Sequence, residues 1–218
     1  MRWQIVVLVG LLVGCGYPPT TQKRGPTRSV YTGDENHIYR FSQPETWDLF
    51  VLPDNLGHFQ ISGGELEAYV TADRGYIMST NNLPHTDVII NAQVRQTAGA
   101  PGNGYGVVCR ADQQGNGYYF LLASTGEFTI SVGTSTRDAL FELVPWQYHS
   151  IINDGFQSNE IRAVCAGDYL ALFINDVFVA ETTDYEFTSG ELGVVIGAVG
   201  KPASVRFDNI QIRPAILR

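Results

Sequence analysis

NEIRAVCAGDYLALFINDVFVAETT, Asn159 to Thr183, is a string of short runs in which apolar side chains return at every second position. Successive side chains of a β-strand point to opposite faces, so Ile161, Ala163 and Cys165 share one side of the first run. The next two runs flank Asn175-Asp176, a pair that tolerates the positive φ of a tight hairpin turn, though less comfortably than Asn-Gly. Runs of the same kind fill most of the chain: HFQIS, ELEAYVT, GYIMST, DVIINAQVRQ, GYGVVCRA, GYYFLLAS, EFTISVG, ALFELV, GELGVVIGAV and SVRFDNIQIR. The gaps between them are short and rich in Gly, Asn, Asp and Pro, and no amphipathic helix of ordinary length interrupts them. The expectation is an all-β domain of two stacked antiparallel sheets, a jelly-roll sandwich.

The ends bound the rest. MRWQIVVLVGLLVGCG opens with Arg2 and continues through an apolar stretch too short to span a bilayer, the form of a secretion signal. Leu12-Val13-Gly14-Cys15 resembles the bacterial lipobox, which implies a signal peptide over 1–14 and a lipid-modified Cys15. The alternative is a plain signal peptide with a cysteine near its cleavage site. Acyl chains on Cys15 would hold the protein to a membrane at about 0.8 kcal/mol per buried CH₂. Residues 15–35, with Pro18, Pro19, Pro26 and many polar side chains, read as a flexible tether, and 36–218 as one domain. The expected location is therefore extracytoplasmic, lipid-anchored in a bacterial envelope. A net charge of −8 without a basic stripe argues against nucleic acid.

With Cys15 given to lipid, Cys109 and Cys165 are left to bridge in an oxidising compartment, the alternative being two buried thiols. Neither has a histidine beside it, which argues against a metal. Alternation places Tyr105, Val107 and Cys109 on a core face, with Tyr118, Phe120, Leu122, Phe128, Ile130 and Val132. On the opposite face it collects Arg110, Tyr119, Glu127 and Arg162. These four form the candidate ligand-binding set, the alternative being an exposed sheet face with cross-strand charges; Trp47 and Trp146 are candidate stacking platforms, the alternative being aromatics of the core.

GYGVVCR, NGYYFLLASTGEFTI, NEIRAVCAGDYLALFINDVFVAET, SGELGVVIG and VRFDNIQI, in that order, resemble the concanavalin A-like (laminin-G-like) domains of bacterial surface lipoproteins and kinase-associated extracellular modules. The resemblance covers Trp47 to Ile212. It implies a jelly-roll sandwich that binds glycans or proteins of the envelope, and it favours Cys109–Cys165 bonding.

Catalysis has thinner support. Glu65 and Glu67 share a strand face at a spacing that suits a glycosidase pair, but the carboxylate expected at the sixth position of the familiar glucanase signature is Val70. No nucleophile elbow or phosphate loop occurs. Asp73, Asp87, Asp112, Asp154 and Asp208 lie in turns that suit Ca²⁺ in chemistry, though not in spacing. The sequence thus points to a non-catalytic glycan-binding domain without a cofactor, with a glycan hydrolase and a protein-contact module as alternatives.

Overall fold

A computed structural model of the chain describes residues 25–42, 46–71, 75–137 and 139–218. The signal peptide, Cys15 and Asp73 lie outside the described residues. Every run named above is a strand: β4 (Gly57–Ser62), β5 (Glu65–Val70), β6 (Tyr76–His85), β7 (Val88–Ala98), β8 (Tyr105–Ala111), β9 (Gly117–Ala123), β10 (Glu127–Gly133), β11 (Phe141–Tyr148), β12 (Asn159–Ala166), β13 (Tyr169–Ile174), β14 (Val177–Thr183), β15 (Gly190–Gly197) and β16 (Ala203–Leu217). The alternation did not show β1 (Val30–Thr32), β2 (His37–Tyr39) and β3 (Phe50–Val51), which are too short to display a period. Apart from a 3-10 turn at Pro53–Asn55, no helix occurs among the described residues.

The strands form two antiparallel sheets. The smaller runs β11-β10-β9-β8-β15-β6, and the larger β14-β13-β12-β7-β16-β5-β4-β3. β16 is the seam of the larger sheet. One edge pairs along its length with β7, and the other is shared in turn by β5 (at 203–207), β2 (at 210–212) and β1 (at 215–217). A left-handed Asn209 sits where β16 shifts register against β7, and Asp208 steadies it by accepting the Asn209 N–H at 2.7 Å. β1 lies within the stretch whose composition suits a tether, so the sandwich begins earlier than residue 36.

The inner faces meet as the alternation requires. Tyr118, Phe120 and Leu122 of β9 and Phe128, Ile130 and Val132 of β10 pack with Tyr105 and Val107 of β8 against Ile161 and Ala163 of β12 and Leu170 and Leu172 of β13. Cys109 of β8 and Cys165 of β12 are both fully buried and are bonded, so a disulfide crosses the core and ties the sheets together. At the β13–β14 hairpin, Asn175 and Asp176 take φ of 50° and 63°, as a tight turn with two left-handed residues demands.

Candidate functional site on the larger sheet

The four side chains that alternation placed on one face lie apart. Arg162 belongs to the larger sheet, whereas Arg110, Tyr119 and Glu127 belong to the smaller. Arg110 does not project outward. Two residues of β8, Cys109 and Arg110, stand opposite Leu192 of β15, and this bulge puts Arg110 at φ 53° and breaks the alternation. Its guanidinium is buried and donates to the carbonyls of Thr86 (3.1 Å), Gly167 (2.8 Å) and Phe187 (2.8 Å), with Asp87 at 3.2 Å. It fastens three connections between strands and has no exposed donor to offer a ligand.

Tyr119 is on the outer face of the smaller sheet, as expected, but only 3% of it is exposed. It packs with Val108, Leu121 and Val195, and Met78, Leu140 and Trp146 lie against this cluster. The Tyr119 hydroxyl is spent on the Gly115 carbonyl at 2.8 Å. A Cβ on Gly133 would fall 2.7 Å from the Tyr119 ring, so glycine there lets the ring lie close to the sheet. Glu127 sits at the margin and accepts a hydrogen bond from Thr125 at 2.7 Å. This face is filled by its own apolar side chains, and Trp146 serves as filling and not as an open platform.

Glu65 and Glu67 do share a face, the outer one of the larger sheet, and arginines bind both. Arg206 donates to Glu65 at 2.9 Å and to Glu67 at 2.8 Å, while Arg95 reaches Glu65 at 2.6 Å. Partial burial works against ionisation of Glu65, but the hydrogen bonds from Arg95 and Arg206 outweigh it and hold its carboxyl below the usual value. A general acid needs the opposite shift, because it must carry a proton to the leaving oxygen near neutral pH.

The turn aspartates serve the backbone. Asp112 accepts from the N–H of Gln114 and Asn116, and Asp87 from Gly167 N–H. Among the described residues no group of three or more His, Cys, Asp or Glu side chains is placed to hold a metal ion.

What the structure does assemble lies around Arg162. β14, β13, β12, β7 and β16 are consecutive neighbours, and their register sets Phe178, Phe173, Arg162, Asn91 and Gln211 in one row across the outer face. The row is linked side chain to side chain. Phe178 and Phe173 meet edge to face at 5.5 Å, and the Arg162 guanidinium stands 5.7 Å from the Phe173 ring centre. Arg162 Nε donates to Asn91 Oδ1 at 2.9 Å, and Asn91 Nδ2 to Gln211 Oε1 at 3.3 Å. Arg162 also reaches Asp176 of the hairpin turn at 2.5 Å.

Beside the row opens a pocket of about 530 Å³. Ile89 and Val164 make its apolar floor, and Tyr169 and Arg213 flank them. Its far wall is the segment from Pro26 to Thr32, held by a two-pronged Arg28–Asp168 bond (2.6 and 3.1 Å) and by Thr27 N–H donating to Glu181 at 2.8 Å. The Arg28 hydrogen bonds keep the Asp168 carboxyl down at about 2. A shallower depression of about 200 Å³, lined by Asn91, Gln93, Asn209 and Gln211, continues the groove along the sheet. A larger cavity, about 780 Å³, opens elsewhere among His37, His85, Asp87 and Ser189. Of its lining groups, His85 Nε2 meets the Asn81 amide at 3.2 Å, and Asp87 holds Gly167 and Arg110. Burial, with His37 nearby, keeps the His85 imidazole below its ordinary value, and so neutral.

The row's polar members stand at alternate positions of DVIINAQVRQ, NEIRAVC and NIQIR, a pattern visible in the sequence. What the sequence could not show is that β7, β12 and β16 lie side by side.

No protein-family model and no curated protein matches the sequence. Solved structures do. The carbohydrate-binding module CBM66 from Bacillus subtilis superposes with a TM-score of 0.62 at 15% identity, over 77% of this chain and 95% of that one. A Bacillus subtilis protein of unknown function with a galectin-like fold gives 0.61 at 12% identity, over 87% and 100%. The carbohydrate recognition domain of Emp47p gives 0.55 at 12% identity, over 82% and 94%. At such identities the likeness shows the fold: this chain is a two-sheet β-sandwich of the kind found in carbohydrate-binding and galectin-like domains.

Proposed function

We propose that the protein is a lipid-anchored, extracytoplasmic glycan-binding protein without catalytic activity, and that its saccharide lies on the outer face of the larger sheet. The observation that carries this reading is the open row Phe173–Arg162–Asn91–Gln211 beside the 530 Å³ pocket. A sugar ring offers an apolar C–H face and a rim of hydroxyls, and the site offers aromatic faces next to planar amide and guanidinium groups. Amides both donate and accept, which suits hydroxyls that do the same. The sandwich likeness to carbohydrate-binding modules supports a glycan as the class of ligand. The argument against a hydrolase is the ionised, doubly paired Glu65.

The Cys109–Cys165 bond suits an oxidising compartment, and no helix among the described residues is long and apolar enough to cross a membrane. Attachment through an acylated Cys15 supplies the membrane link. Radiolabelled fatty acid should enter the wild-type protein and not Cys15→Ser; equal labelling of the two removes the anchor from the proposal. For the ligand, the full chain in detergent is applied to a glycan array with and without calcium. Binding to a defined group of glycans is expected, weakened by Arg162→Ala or Asn91→Ala and insensitive to calcium. Failure to bind any glycan, or binding unaffected by both substitutions, refutes the site.

A further inference from the structure

We infer that the pocket takes an acidic saccharide, one bearing a carboxylate, and that Arg213 is the group that grips it. The inference rests on the glycan-binding reading and gives that reading a ligand class. Three arginines line the pocket, and two already face a carboxylate of the protein. Arg28 is forked onto Asp168, and Arg162 is divided between Asn91 and Asp176. Arg213 makes no ion pair and no side-chain hydrogen bond among the described residues, and its Nε is buried without a partner. An arginine left unpaired at a pocket wall keeps its Nη donors free for an acceptor in the pocket.

The position of Arg213 indicates which acceptor. It pairs in register with Ile89, so its head lies beside the apolar floor made by Ile89 and Val164. Water is scarce over such a floor, and a charge pair formed there is less screened than in the open. The end of the guanidinium carrying its two Nη atoms presents two N–H groups, the match for the two oxygens of one carboxylate, where a sugar hydroxyl offers a single oxygen.

The remaining charges near the pocket leave this match intact. Asp168 and Asp176 already belong to Arg28 and Arg162. Glu160 is the acid among the lining residues, but it stands four residues along β12 from Val164, roughly 13 Å at strand spacing. The chain as a whole carries −8, so general attraction of polyanions is not at work. Tyr31 and Tyr169 on the flanks give the ring bearing the carboxylate a surface to lie against.

The test presents the full chain in detergent with a panel of glycans containing uronic or sialic acids, each printed beside its methyl ester, with neutral and sulfated glycans alongside. The acids should bind, and their esters should bind about ten- to a hundredfold more weakly. Arg213→Gln should bind acid and ester alike while melting at the wild-type temperature. Acids and esters bound equally by the wild type, or a preference for sulfated members, overturns the carboxylate and leaves glycan binding standing. An Arg213→Gln protein that keeps the wild-type preference overturns the role of Arg213. Should that variant fail to fold, Arg213→Lys keeps the charge and loses the fork: a reduced preference supports the assignment, and an undiminished one refutes it. No binding to any member overturns both this inference and the glycan reading.

Discussion

Replacing Arg110 by methionine separates a structural arginine from a ligand-binding one. The substitution keeps an unbranched stem but removes the donors that hold the carbonyls of Thr86, Gly167 and Phe187. A buried acceptor left without a partner costs about 1–3 kcal/mol. Asp87 adds little, because its side chain is 45% exposed and retains the Gly167 N–H. Some of the freed carbonyls will find water, so the sum settles at about 3–5 kcal/mol, the range for removing one partner from a buried charged network. For a domain of this size each kcal/mol moves the midpoint by about 2–4 °C, which makes a fall of about 6–20 °C. Thermal unfolding followed by near-ultraviolet circular dichroism reads this directly. Arg110→Lys, which keeps the charge but not the reach to every carbonyl, should fall between the two. A methionine variant that melts within 2 °C of the wild type, or that loses glycan binding with an unchanged melt, would refute the reasoning.

Two further outcomes follow from other ties. Cys109 and Cys165 are 56 residues apart in sequence, and a bond closing such a loop is worth about 4 kcal/mol in the chain-entropy model; the double alanine variant should lose most of this in denaturant unfolding, and a loss under about 1 kcal/mol would contradict it. Asp168 has its carboxyl lowered to about 2, so the stability it lends is complete above its ordinary 3.8 and disappears as the pH falls toward 2. At neutral pH Asp168→Asn should mimic that loss by freeing the segment around Arg28, read as faster tryptic cleavage after Arg28; unchanged cleavage would mean that the Arg28–Asp168 bond does not hold the pocket wall.

Period-2 alternation revealed every long strand and, in β8, β9, β10 and β12, the core face, because burial on one side leaves a mark on the local sequence. It went astray at Arg110, where the bulge inserts a residue that no local pattern announces. It also misjudged Tyr119. Facing away from the core means exposure only if nothing else covers the face, and Leu140 and Met78 cover this one. Arg162 was correctly placed outward, yet its neighbours Asn91 and Gln211 lie 71 and 120 residues from the partners they bond. Strand order is a property of the assembled sheet, and single-strand patterns carry no record of it. β1 escaped notice for a related reason: three residues with a proline-rich approach look like tether until β16 is there to pair with.

That dependence on β16 bears on how the protein comes to be folded. The strand that joins β7 to β5, β2 and β1 is the last of the sandwich in chain order. Until it arrives, the strands of the larger sheet lack the partner that unites them, and the pocket lacks Arg213 and the strand that β1 in its wall pairs with. A chain that emerges N-terminus first therefore cannot complete this sheet until β16 has emerged. The pocket proposed for the ligand and the fold itself are completed together, by the same strand.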